Sequence, residues 1–103
     1  MSDVWQIKTE DDSIPFDAVK IFKREGYLFE FKYYHDMNLY ALHVMNSRSH
    51  VVLRLGCLRV GWLIEKNIKK VLSVLRSVPP VPDKNFKFLR RTIRGGYIDY
   101  YGD

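Results

Sequence analysis

The residues with the clearest capacity for chemistry lie towards the C-terminal end of the sequence. Lys84, Lys87, Arg90, Arg91 and Arg94 place five cations within eleven residues, with no acid among them. Phe86, Phe88, Tyr97, Tyr100 and Tyr101 are interleaved with them. Guanidinium and ammonium groups neutralise phosphates, and flat rings stack on unpaired bases. These residue types together point to a nucleic-acid partner, with single strands or RNA favoured over the major groove of a duplex. The expected roles are Lys87, Arg90, Arg91 and Arg94 on phosphates and Tyr97 or Tyr101 as the stacking ring. The plainer alternative is a solvated hairpin in which Tyr and Arg stabilise each other across the strands, with Asp99 bridging Arg90 and Arg94.

A second group of cations is Lys66, Lys69, Lys70 and Arg76, which share a broad side of a helix at their spacing. A helix face turned to water looks the same. The group gains meaning where it continues the first one.

Other chemistries find little support. His35, His43 and His50 are scattered, and with Cys57 as the sole cysteine no ligand set has the spacing of a metal site. Cys57 has no assignable base, so it reads as a small apolar residue at a strand end. Glu10, Asp11 and Asp12 form the one acidic run, placed to favour a following helix dipole. Phosphate-binding glycine loops, the dinucleotide fingerprint and HExxH are missing from the sequence. The expectation is a binding protein without cofactor or metal, not an enzyme.

The elements that would position these residues follow from periodicity. Val4 to Lys8 reads as a first strand. Ser13 and Pro15 open a helix over about 15–25, with Ile14, Ala18, Ile21 and Phe22 on one side and Gly26 as the C′ glycine. Tyr27 to His35 and Leu39 to Asn46 alternate as a hairpin around Asp36-Met37-Asn38. A Met37-Asn38 loop sets Tyr33 opposite Leu42, Phe31 opposite Val44 and Lys32 opposite His43. Val51 to Leu55 is a further strand. A second helix runs over about 61–77, with Ile64, Ile68, Val71, Leu72 and Leu75 as its apolar stripe. Pro79-Pro80-Val81-Pro82 is a stiff connector. Phe86 to Ile93 and Tyr97 to Tyr101 make a last hairpin around Gly95-Gly96. That hairpin pairs Arg94 with Tyr97, Thr92 with Asp99 and Arg90 with Tyr101.

Written in order, this is an α+β single domain of two βαββ units, about 1–46 and 50–103. The seam between the units would be a groove for a peptide or acidic, extended protein partner, and exposed strand edges suit a homodimer. A competing reading makes Ala18 to Lys23 a strand and gives the order ββββα over about 18–78. That order resembles the PUR and Whirly single-strand-binding folds, and the resemblance implies a single-stranded nucleic-acid partner.

Composition bounds both readings. The chain has 103 residues, 47% of them hydrophobic, enough for one domain with a modest core. Residues 1–17 carry a net −4 and the rest a net +9, for a total of +5. A basic body of this kind attracts polyanions or acidic surfaces. No apolar run reaches the ~18 residues of a membrane span, and residues 1–12 lack the pattern of a secretory signal. With one cysteine, the expected setting is a reducing cytoplasm. Glutamine occurs once, at Gln6, while Lys, Arg, Ile, Val and Tyr are plentiful, a composition that leans to hot habitats. In size and composition the chain resembles the small accessory proteins of hyperthermophilic archaeal viruses and plasmids. That resemblance implies residence in the host cytoplasm and a part in genome handling or host interaction.

Overall fold

A computed structural model of the chain describes residues 17–77 and 84–102. In chain order they form β1 (Asp17–Arg24), β2 (Tyr27–Tyr34), β3 (Leu39–Met45), β4 (Val51–Leu58), α1 (Glu65–Arg76), α2 (Lys84–Thr92) and β5 (Tyr97–Tyr100). The strands make one antiparallel sheet in the order β1-β2-β3-β4-β5. Both helices are inserted between β4 and β5 and cover one face of it. The expected strand at Val4 to Lys8, the start of the helix at 15 and the Pro79–Pro82 connector lie outside the described residues.

The α+β class and the sequence-predicted elements from Tyr27 to Arg76 agree with this architecture. The helix expected over 15–25 does not, because residues 17–24 are strand β1. Val19 and Ile21 are β-branched and fit a pleated strand. Glu25 and Gly26 both have positive φ, 53° and 83°, and join β1 to β2 as a two-residue turn with Arg24 paired to Tyr27. A helix C′ position also demands positive φ, so Gly26 satisfied either reading. Across this hairpin Phe22 stacks on Phe29 with ring centroids 4.9 Å apart.

The β2–β3 hairpin forms where expected, with its register moved by two residues. Tyr33 faces Tyr40, Phe31 faces Leu42 and Glu30 faces His43. The loop is longer than a two-residue turn. The Asn38 backbone N–H donates to the His35 carbonyl at 3.2 Å, Asn38 takes φ 52°, and the Tyr33 hydroxyl donates to Asn38 Oδ1 at 2.7 Å. A shift of two keeps every side chain on its face and changes only its neighbours. Lys32 therefore sits opposite Ala41, and His43 opposite Glu30.

The hairpin expected from Phe86 to Tyr101 is instead helix α2 followed by β5, which pairs with β4. Phe86, Leu89 and Ile93 recur at helical spacing, and Leu89 and Ile93 are buried in the core. Gly95-Gly96 serves as the exit from α2. The Gly96 N–H donates to the Ile93 carbonyl at 3.0 Å, and Gly95 takes φ 78°. With one predicted helix a strand and one predicted hairpin a helix, the described residues do not show the βαββ repeat. From Asp17 to Arg76 their order is the competing ββββα.

The core lies between the sheet and the helices. Phe29 and Phe31 of β2, Leu42 and Val44 of β3, and Leu53 and Leu55 of β4 point to one side. Ile68, Val71, Leu72 and Leu75 of α1 meet them there, with Leu89 of α2. Burying one such side chain contributes about 1.5–3 kcal/mol, and this layer fixes where the helices sit. The indole N–H of Trp62, just before α1, donates to Thr92 Oγ1 at the end of α2 at 3.0 Å. The Trp62 carbonyl accepts from the Asn67 amide at 2.7 Å. Trp62 thereby locks the two helices to each other.

Candidate nucleic-acid interface

Burial of the apolar sides of α1 and α2 leaves their remaining sides facing water. Along 65–76 and 84–94 the sequence holds nine cations and one acid, Glu65. Glu65 is engaged by Arg24 of β1, whose guanidinium donates to both carboxylate oxygens at 2.6 and 3.3 Å. That hydrogen bond lowers the Glu65 carboxyl below its ordinary range and raises the Arg24 guanidinium. Arg76 is likewise engaged by Glu25. Among the described residues Lys66, Lys87, Arg90, Arg91 and Arg94 form no ion pair with a carboxylate, while the charge of Lys69 helps to hold Glu65 ionised.

The two basic groups meet at one ring. Phe88 of α2 is half-buried, with the ammonium groups of Lys66 and Lys70 lying 5.2 and 5.3 Å from its centroid. Those lysines are four residues apart on α1 and so share a side. Cation–π attraction to the ring holds both of them over α2. On α2 itself, Lys87, Arg90 and Arg91 are exposed and frame a shallow depression of about 310 Å³. Cations thus stand on the exposed sides of both helices, with Phe88 of α2 in contact with two of those on α1.

The structure divides the nine sequence-predicted site residues into three groups. Lys66, Lys69, Lys70, Lys87, Arg90 and Arg91 come together on α1 and α2. Arg94 lies in the turn after α2, with φ 30°. Tyr97 and Tyr101 do not join them. Ile98 and Tyr100 alternate toward the core side, so Tyr97, Asp99 and Tyr101 belong to the opposite face of the sheet. The expected Arg90–Tyr101, Arg94–Tyr97 and Thr92–Asp99 pairs are absent, because residues 84–92 are helical. Asp99 binds Arg54 instead, at 2.7 Å.

That opposite face carries a group of residues that sequence reasoning did not connect. One transverse row crosses four strands, from Glu30 on β2 through His43 on β3 and Arg54 on β4 to Asp99 on β5. Lys32 lies beside it, 3.7 Å from Glu30. Lys32 and His43 are 1% exposed, Glu30 5% and Arg54 7%, so these charges are withdrawn from water. The Arg54 guanidinium also lies 6.0 Å from the centroid of the Tyr101 ring. Alternation already placed Glu30 and Lys32 on one face. The missing signal was the register of the β2–β3 hairpin.

The groove expected between two βαββ halves has no counterpart among the described residues. There too, no three His, Cys, Asp or Glu side chains gather as metal ligands, and no helix is long and apolar enough to cross a membrane. Compared with known proteins, the chain matches no family model, no curated protein and no solved structure.

Proposed function

We propose that this chain is a non-enzymatic nucleic-acid-binding protein whose interface is the outer surface of α1 and α2. The observation that carries the reading is the contact of Lys66 and Lys70 of α1 with the Phe88 ring of α2, the helix that also bears Lys87, Arg90 and Arg91. Phosphates would be held by Lys66, Lys69, Lys70, Lys87, Arg90 and Arg91. Binding is then chiefly electrostatic, driven by release of counterions from the nucleic acid. Lysines at an open surface supply affinity without reading sequence, so little preference among sequences is expected.

The test is the salt dependence of oligonucleotide binding. With about five phosphates neutralised, log K should fall with log salt at a slope of about −3.5 for a single strand. A slope near zero overturns the reading.

A second reading rests on β1, which is an edge strand among the described residues. Val19 on that strand is 53% exposed. An extended protein segment, or β1 of a second copy, could add to this edge by main-chain hydrogen bonds. Such a complex would survive nuclease and high salt, which separates it from the first reading.

A further inference from the structure

At one end of the sheet the strand β4 is irregular. Leu42 pairs with Leu55 and Tyr40 with Leu58, so β4 places Gly56 and Cys57 where β3 has only Ala41. This is a β-bulge, and Cys57 takes φ 60° within it. The strands pair again at Tyr40 and Leu58, and beside the bulge lies a groove. Its outer part, about 620 Å³, is bounded by Leu39 and Tyr40 of β3, by Arg59 and Val60 after β4, and by Arg94. Leu39, Tyr40 and Cys57 also line a smaller cleft of about 80 Å³ that continues onto the face bearing Tyr97. Tyr97 lies directly on Gly56, where an added Cβ would come within 2.0 Å of its ring. The Tyr97 ring is thereby fixed as one wall and remains 39% exposed.

We infer that this groove receives one unpaired nucleotide of a single-stranded nucleic acid, an assignment that rests on the nucleic-acid reading above. The charge of the groove matches such an occupant. Arg59 and Arg94 are exposed at its mouth, and among the described residues neither pairs with a carboxylate. Beyond them the lining turns apolar and aromatic, which suits a planar base. The outer part, about 620 Å³ beside Arg59 and Arg94, falls in the range of about 300–1,000 Å³ usual for small-molecule clefts, and Tyr97 lines only the smaller cleft that adjoins it. Position supports it as well. Arg94 follows α2 directly, so a backbone held along Lys87, Arg90 and Arg91 is led to the mouth of the groove. A base within a duplex is stacked on both sides and would first have to be extruded, whereas an unpaired base enters without that cost. Two guanidinium groups take the phosphate, and the Tyr97 ring takes the base.

The experiment compares a labelled oligothymidylate with an abasic oligomer of the same length, which has the same phosphates and no bases. Fluorescence anisotropy is read for the wild-type chain and for Tyr97→Ala and Tyr97→Phe, with thermal melts to confirm folding. The wild type and Tyr97→Phe should bind the thymidylate about tenfold more tightly than the abasic strand. In Tyr97→Ala that difference should vanish while abasic affinity stays the same. Equal, salt-dependent binding of both oligomers by the wild type overturns the groove and leaves the cationic layer standing. A tenfold preference that survives Tyr97→Ala also overturns it, because the base then lies elsewhere. Failure to bind either oligomer overturns the nucleic-acid reading itself.

Discussion

Lys32 and Arg54 on the sheet carry the same charge as Lys87 and Arg90 on α2, yet the two pairs live in opposite circumstances. The first two are buried, with Glu30 at 3.7 Å and Asp99 at 2.7 Å. The second two are exposed and face no carboxylate among the described residues. A buried charge needs its counter-charge to offset desolvation, so Lys32 and Arg54 are committed to the fold. A solvated charge without a partner costs little and stays available to a polyanion. Residue type alone therefore says nothing about which cations stay exposed and unpaired. Pairing and burial set the two kinds of cation apart.

The largest expected effect breaks the buried side of this comparison. Glu30→Ala removes the carboxylate beside a 1%-exposed lysine and should cost about 3–4 kcal/mol in urea denaturation. Asp99→Ala should cost less, about 2 kcal/mol, because the Asp99 side chain is 37% exposed and water screens the pair. A loss below ~0.5 kcal/mol in both variants would erase the contrast between the two regions, since surface substitutions cost no more.

Next comes the exposed side. Combining Lys87→Ala, Arg90→Ala and Arg91→Ala should weaken oligonucleotide binding about 10²-fold at low salt and flatten the salt slope by about 2. Each substitution should change stability by no more than about 0.5 kcal/mol. A triple variant that melts early while still binding would place the structural cations on α2 and refute the division.

Smaller still is Gly56→Ala at the bulge. Its Cβ would meet the Tyr97 ring, which must shift, at a cost of about 1–2 kcal/mol measured by chemical denaturation. The base-dependent part of oligonucleotide affinity should fall with it.

The smallest effect is the pH dependence of the Arg24–Glu65 pair. The folded Glu65 carboxyl titrates below its unfolded range, so the pair's contribution is present above that range. It is lost as pH falls through the lowered folded value. Glu65→Gln should therefore melt slightly below wild type at neutral pH, and the gap should close in acid. The pair is exposed, and the shift in melting temperature will be small.

Much of this molecule was legible in the sequence. The stripe of Ile68, Val71, Leu72 and Leu75 specified α1 because apolar residues at helical spacing leave one side to bury. The alternation of Tyr27 to Tyr34 specified β2 and sorted Phe29 and Phe31 from Glu30 and Lys32 before any partner was known. The cations of the helical layer were also visible as residues. Two glycine signals were visible but ambiguous. Gly26 and Gly95 each announce a backbone at positive φ, which both a helix exit and a tight hairpin require. Local sequence could not choose, and each was assigned the other's role.

Tertiary structure made those choices. Val19 to Phe22 became a strand because Phe22 meets Phe29 across the β1–β2 turn, a contact that a helix would not make. Phe86 to Ile93 became a helix because Leu89 and Ile93 then enter the same core as α1. That one decision moved Arg90 and Arg91 away from Tyr97 and Tyr101 and put them on the helix whose Phe88 meets Lys66 and Lys70. Charge, hydrophobic period and the sites of chain reversal were local properties, and the sequence determined them. Which cations share a surface, which are neutralised within the sheet and which ring stands beside a groove depended on contacts between distant segments. Only the folded chain could decide those.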